Sequence, residues 1–174
     1  MTRFGRMAAL PVIALLAGAA MSGSGPAAAE PLGRCDGGEF RWTAADGAIT
    51  MTPQWLTFTS AGTLRDCAGV VPGITGGTFT GVHTAWSDCM HPADGPITLA
   101  ITWSDGETST VAGPWPVAMA QPTTGTLEVT DGLGRGRRVR ITVAYDMVTP
   151  ETVGGCLGAG VRTGTGRILG TMFE

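Results

Sequence analysis

Residues 139 to 147 read Val-Arg-Ile-Thr-Val-Ala-Tyr-Asp-Met, in which large, mainly apolar side chains alternate with polar or small ones. A period of two belongs to a β-strand, so Val139, Ile141, Val143, Tyr145 and Met147 share one face while Arg140, Thr142, Ala144 and Asp146 share the other. The same pattern carries Ile97, Leu99, Ile101 and Trp103 up to Asp105-Gly106, a dipeptide suited to a tight hairpin turn. Leu127 and Val129 run up to a reversal at Asp131-Gly132-Leu133-Gly134. Phe40 and Trp42 lie on one face of a short strand that stops at Asp46-Gly47, and Pro53 places an edge, bulge or break within residues 49–59. Gly62-Thr63-Leu64 and Gly77-Thr78-Phe79-Thr80-Gly81 open further strands. The chain closes on Gly164 to Phe173, where Gly166 and Gly170 suit bends or bulges. Apolar residues at three-and-four spacing are nearly absent, so helix is not expected.

About eight to ten strands, with a turn signal every 8–12 residues or so, predict an all-β domain. Short hairpin-like connections favour an antiparallel meander closing into a small barrel, which also removes exposed edges. A β-sandwich of the immunoglobulin type is the alternative. It lacks the central Trp expected between two paired cysteines.

Residues 1–29 read as a signal peptide. Arg3 and Arg6 precede an apolar run from Met7 to Ala20, and Ala27-Ala28-Ala29 supplies the small residues of a cleavage site before Glu30. Residues 30–174 then form one secreted domain, soluble once the leader is removed. Losing the two arginines takes the net charge from −3 to −5, which gives no pull toward nucleic acid or an anionic membrane. All four cysteines, Cys35, Cys67, Cys89 and Cys156, lie in this domain, and an even count in an exported chain reads as two disulfides. Of the three possible pairings, Cys67–Cys89 and Cys35–Cys156 are favoured, the first tying neighbouring strands and the second tying the two ends of the domain.

The segments GTFTG (residues 77–81), Cys89, ITWSDG (101–106) followed by TSTV (108–111), and Cys156 before a Gly/Thr-rich last strand resemble a group of uncharacterised secreted all-β proteins of actinobacteria. The resemblance covers most of residues 35–173. It implies export, two cysteine pairs and an all-β domain, and it brings no activity and no catalytic residue. The Arg-rich segment 135–140 and the Pro114-Trp115-Pro116 insert depart from the plainer Thr/Gly pattern of that group.

Candidate sites are few. His83, Asp88, Cys89, His91 and Asp94 are the one cluster with metal-ligand or nucleophile chemistry, and pairing of Cys89 would remove both the thiolate ligand and the thiolate nucleophile. No serine lies in a G-x-S-x-G turn. Asp105 and Glu107 sit on a solvated hairpin tip, without the cleft that a glycosidase pair needs. No catalytic residue and no cofactor is therefore assigned. Arg135, Arg137, Arg138 and Arg140 form the sharpest charge feature and could grip an oxyanionic polymer, although they also fit a turn running into an outward strand face. Trp42 and Trp103 are in phase with apolar neighbours and belong to the core. Trp115, flanked by prolines, is placed on a loop or edge and is the best single binding residue.

These features predict a secreted, disulfide-stabilised binding or surface-interaction module. Its partner would be a small apolar ligand inside the barrel or an extracellular polymer outside it. The alternatives are a carbohydrate-active or metal-dependent hydrolase around His83 and His91, and a protease inhibitor presenting the loop from Ser87 to Asp94.

Overall fold

The computed structural model describes residues 33–69, 71–91, 93–117 and 122–174, so the leader expected over residues 1–29 lies outside them. Eight strands follow one another: β1 (Gly33–Ala44), β2 (Gln54–Gly69), β3 (Gly77–Ser87), β4 (Gly95–Trp103), β5 (Thr108–Trp115), β6 (Thr123–Gly132), β7 (Arg138–Tyr145) and β8 (Thr163–Phe173). Each pairs antiparallel with the next and β8 pairs back with β1, closing the barrel. The meander expected from the turn spacing is what forms, and the sandwich is not.

Two elements differ from the sequence expectation. Gly62-Thr63-Leu64 begins no strand; it lies in the middle of β2, which is 16 residues long. An added Cβ at Gly62 would stand 2.7 Å from both Phe40 and the Phe79 ring, so this glycine clears space for aromatic side chains. A short helix, α1 (Pro150–Cys156), was also unforeseen. Its Thr149 side chain accepts the Thr152 N–H, and Pro150 and Glu151 occupy the first turn, a cap signature with too short a helix behind it to show periodicity.

The inward positions are apolar and aromatic and the outward ones polar, the reverse of an outer-membrane barrel. An eight-stranded lumen is narrow, so a large ring on one strand needs a small residue beside it. Trp42 lies over Gly164, Phe40 over Gly166 and Trp115 over Gly125; a Cβ on Gly164 would come within 2.6 Å of the Trp42 indole. Gly166 is thus a clearance and not a bend. Gly170 does mark a bulge: Thr142 pairs with Gly170 and Val143 with Ile168, leaving Leu169 as the extra residue. Past it the inward set of β8 changes phase, which turns Thr171 and Phe173 into the barrel.

The cysteines pair as Cys35–Cys67 and Cys89–Cys156, correcting both expected bridges. The reason is topological. One end of the barrel carries Gly33, the β2–β3, β4–β5 and β6–β7 connections and the C-terminus; the other carries the remaining connections, including α1. β3 runs the length of the barrel between Cys67 and Cys89, roughly 30 Å of strand, far beyond disulfide reach. Cys35 and Cys156 also belong to opposite ends. Each observed bridge instead staples one end: Cys35 faces Cys67 across the β1–β2 register, and Cys89 ties the β3–β4 loop to α1. By chain entropy each contributes about 4 kcal/mol. Two disulfides fit an oxidising, extracellular-type environment, and no helix among the described residues is long and apolar enough to cross a membrane.

The ring-on-glycine packing is directly testable. Gly164→Ala should lower the unfolding free energy in urea by about 1–3 kcal/mol. Gly170→Ala, whose Cβ would meet nothing within 4 Å, should stay within about 0.5 kcal/mol of the parent protein.

Candidate functional site

The lumen holds a cavity of about 90 Å³ whose rim at the α1 end includes Asp88, His91, Val117 and Met147. Its walls include Trp42, Phe58, His83, Trp115 and Tyr145, and it reaches down to Thr171. A water needs roughly 10–15 Å³ of such space, so this cavity has room for several waters or one slim organic group. A larger cavity, about 260 Å³, lies at the opposite end among Cys35, Cys67, Ile74, Leu133, Trp103 and Phe173. Trp103 and Phe173, edge to face with centroids 5.4 Å apart, line only that second cavity and stand between the two.

Size and chemistry point to different cavities, and chemistry decides. In the larger one the indole is satisfied: Trp103 Nε1 donates to Ser109 Oγ at 2.9 Å, and that hydroxyl donates to the Leu133 carbonyl at 2.8 Å. In the lumen, Trp42 Nε1, His83 Nε2 and Thr171 Oγ1 are buried without a hydrogen-bond partner. A fourth such atom, Thr63 Oγ1, belongs to the outer face of β2. Buried polar atoms are nearly always bonded, and leaving one unpaired costs about 1–3 kcal/mol. Three of them line one mainly apolar cavity, which makes it the candidate site.

The surrounding geometry fixes each group. Trp42 packs edge-on against Phe58, with centroids 5.7 Å apart, and Phe58 stands 6.0 Å from His83, its partner in the β2–β3 register. Burial drives the His83 pKa down to about 4, against the pull of Asp94 and a hydrogen bond to the Gly95 backbone. The ring is therefore neutral at pH 7, and with one nitrogen bonded at Gly95 its Nε2 faces the lumen as an acceptor. Trp115 Nε1 donates to the Tyr145 hydroxyl at 2.8 Å. Burial pushes that phenol up to about 12 despite the indole, so it stays protonated.

Trp115 is not on a loop. It is the last residue of β5, 3 % exposed and facing inward. Its prolines are tolerated because β5 pairs with β6 only as far as Ala112, and Pro114 faces Pro96 across β4, where neither supplies an N–H. Arg135, Arg137, Arg138 and Arg140 are all exposed at the β6–β7 turn and the outer face of β7. Arg138 stands opposite Glu128, and Arg140 pairs with Glu174 at 2.8 Å. The turn at Asp105-Gly106 is structural: Asp105 caps the Glu107 N–H, and Ser104 Oγ accepts from Thr75 N–H and pins the β2–β3 loop.

The histidine cluster separates. His91 is exposed, with Nδ1 2.7 Å from Asp88 Oδ2. Burial raises the Asp88 carboxyl, but the His91 ring and the Met90 and His91 backbone N–H groups outweigh it and hold its pKa below the ordinary value. A general acid needs the opposite shift. Cys89 is in a disulfide, and no serine hydroxyl bonds His91 among the described residues. No three His, Cys, Asp or Glu side chains among them gather as metal ligands. The β3–β4 loop does present Met90 and His91 beside the Cys89–Cys156 bridge, the feature on which an inhibitor reading would rest. No protein-family model, curated protein or solved structure matches this chain.

His83 sets a pH dependence whose sign follows from its lowered pKa. Between pH 6.5 and about 4 the unfolded chain takes up a proton that the folded one refuses, so stability falls as pH falls, by on the order of 3 kcal/mol across the window. Denaturant melts across that range should show the slope in the parent protein and a flatter one in His83→Gln.

Proposed function

We propose that the protein is an exported, disulfide-stabilised binding module that takes a small, mainly apolar molecule into the α1 end of its barrel. The leader-like residues 1–29, the fully paired cysteines and the resemblance to secreted actinobacterial β-proteins support export. The observation that carries the binding role is the set of unpartnered atoms on Trp42, His83 and Thr171 in an otherwise apolar lumen. At the α1 end Trp42 offers a donor and neutral His83 an acceptor, while Thr171, level with Cys35, lies at the foot of the cavity toward the other end. The matching ligand has an apolar body and a hydroxyl or carbonyl group, and it carries no charge, because the buried carboxylate at the rim, Asp88, is already engaged by His91 and two backbone N–H groups. A hydrolytic role has no comparable support, since the lumen presents neither an activated nucleophile nor a carboxyl with a raised pKa.

Phenol and toluene, equal in size and different by one hydroxyl, are suitable probes. Phenol should raise the melting temperature in a saturable way, by the amount that about 1–3 kcal/mol of binding linkage gives near 100 times its Kd or below, and toluene should act more weakly. Ser60→Phe, which fills the lumen at a lining position, should abolish the phenol effect. Equal responses to both probes, or a phenol effect untouched by Ser60→Phe, would count against the proposal.

A further inference from the structure

Trp55 and Trp86 are the two tryptophans left in water, 62 % and 49 % exposed. They face each other across the β2–β3 register on the outer wall, with ring centroids 5.8 Å apart and planes at 64°. Cross-strand packing explains their contact with each other but not why the largest side chain should be used twice on a solvated face.

Their surroundings narrow the choice of partner. Next to them β2 presents Thr57 and Thr59, and β3 presents Val82 and Thr84. The wall continues with Thr98, Ala100 and Thr102 on β4 and with Thr108, Thr110 and Ala112 on β5. Charge is confined to its two ends, Arg65-Asp66 with Asp105 and Glu107 of the β4–β5 turn at one, and Asp94, whose backbone bridges to Trp86, at the other. The opposite half of the barrel carries its charges mid-strand: Glu39 and Arg41 on β1, Glu128 on β6, Arg140 on β7, Arg167 on β8.

We propose that the outer wall of β2–β5, centred on Trp55 and Trp86, binds a neutral polysaccharide. The apolar C–H faces of sugar rings stack on indole faces. Rows of threonine hydroxyls supply donors and acceptors for sugar hydroxyls, and Asp94 adds an acceptor beside Trp86 while repelling sulfated or phosphorylated chains. A second copy of the same face is a poorer occupant, because it would bury those hydroxyls against one another's methyl groups with few partners. This surface is separate from the lumen, and neither site depends on the other.

The test is co-sedimentation with cellulose, chitin and an insoluble β-1,3-glucan. The parent protein should be retained on at least one of them, and retention should persist at high salt because no ion pair drives it. Trp55→Ala/Trp86→Ala should weaken retention by at least about tenfold while leaving the phenol response intact. Arg138→Ala/Arg140→Ala, on the other half of the wall, should leave retention unchanged. Retention on none of the three polymers, or retention that survives loss of both tryptophans, overturns the proposal. So does a dimer in light scattering that the double Trp variant dissolves, since the face would then be a self-contact.

Discussion

The packing of aromatic rings against inward-facing glycines is the interaction on which the rest of this barrel depends. Eight strands closed on themselves enclose too little width for indoles to meet across the lumen at random. Trp42 on Gly164, Phe40 on Gly166 and Trp115 on Gly125 solve this by giving each ring the volume that its neighbour on the adjoining strand gives up. Large residues on β1 and β5 are thereby coupled to small ones on β8 and β6. The glycine-rich composition is therefore a packing requirement in these strands, separate from the turn glycines such as Gly106 at φ +92°.

That packing makes the two ends unlike each other. At the Gly33 end Trp103 and Phe173 separate a second cavity from the lumen, and the indole N–H is bonded through Ser109 to Leu133. At the α1 end the rings stand apart enough to leave a cavity, and the polar atoms of Trp42 and His83 are not consumed by the fold. The β8 bulge contributes as well, because only the phase change after Leu169 brings Thr171 inward. Each end has its own disulfide, so both are tied by a covalent bridge.

Much of the architecture is legible in the sequence because strand alternation is a local property. Val139 to Tyr145, Ile97 to Trp103 and the turn at Asp105-Gly106 fall where the period and the turn chemistry place them, while Asp131 and Gly132 still pair within β6 and the reversal comes just after them, at 133–136. What is not legible depends on which strands end at the same end of the barrel. The cysteine partners follow from strand direction, which spacing along the chain does not encode. Trp115 looks exposed by its flanking prolines, and its burial follows from where the β5–β6 pairing stops. Trp55 and Trp86 are indistinguishable from core tryptophans until their register is known, although the one-residue offset of Trp55 from Leu56 and Phe58 holds that information. The candidate site is partly legible: His83 and Trp115 both line it, Trp115 from inside the barrel and not from a loop, while Trp42 reads as ordinary core.

Five tryptophans in one chain give the most direct measurement of the central claim, because each indole N–H sits in a different place. Trp42 is unpaired in the lumen, Trp115 is bonded to Tyr145, Trp103 is sealed at the far end, and Trp55 and Trp86 are outside. In ¹H–¹⁵N spectra recorded during a phenol titration, the Trp42 indole resonance should move in a saturable way and those of Trp55, Trp86 and Trp103 should stay in place. A stationary Trp42 with movement at Trp103 would put the ligand in the opposite cavity. Movement only at Trp55 and Trp86 would leave the lumen as packed core, and either result would contradict the account given above.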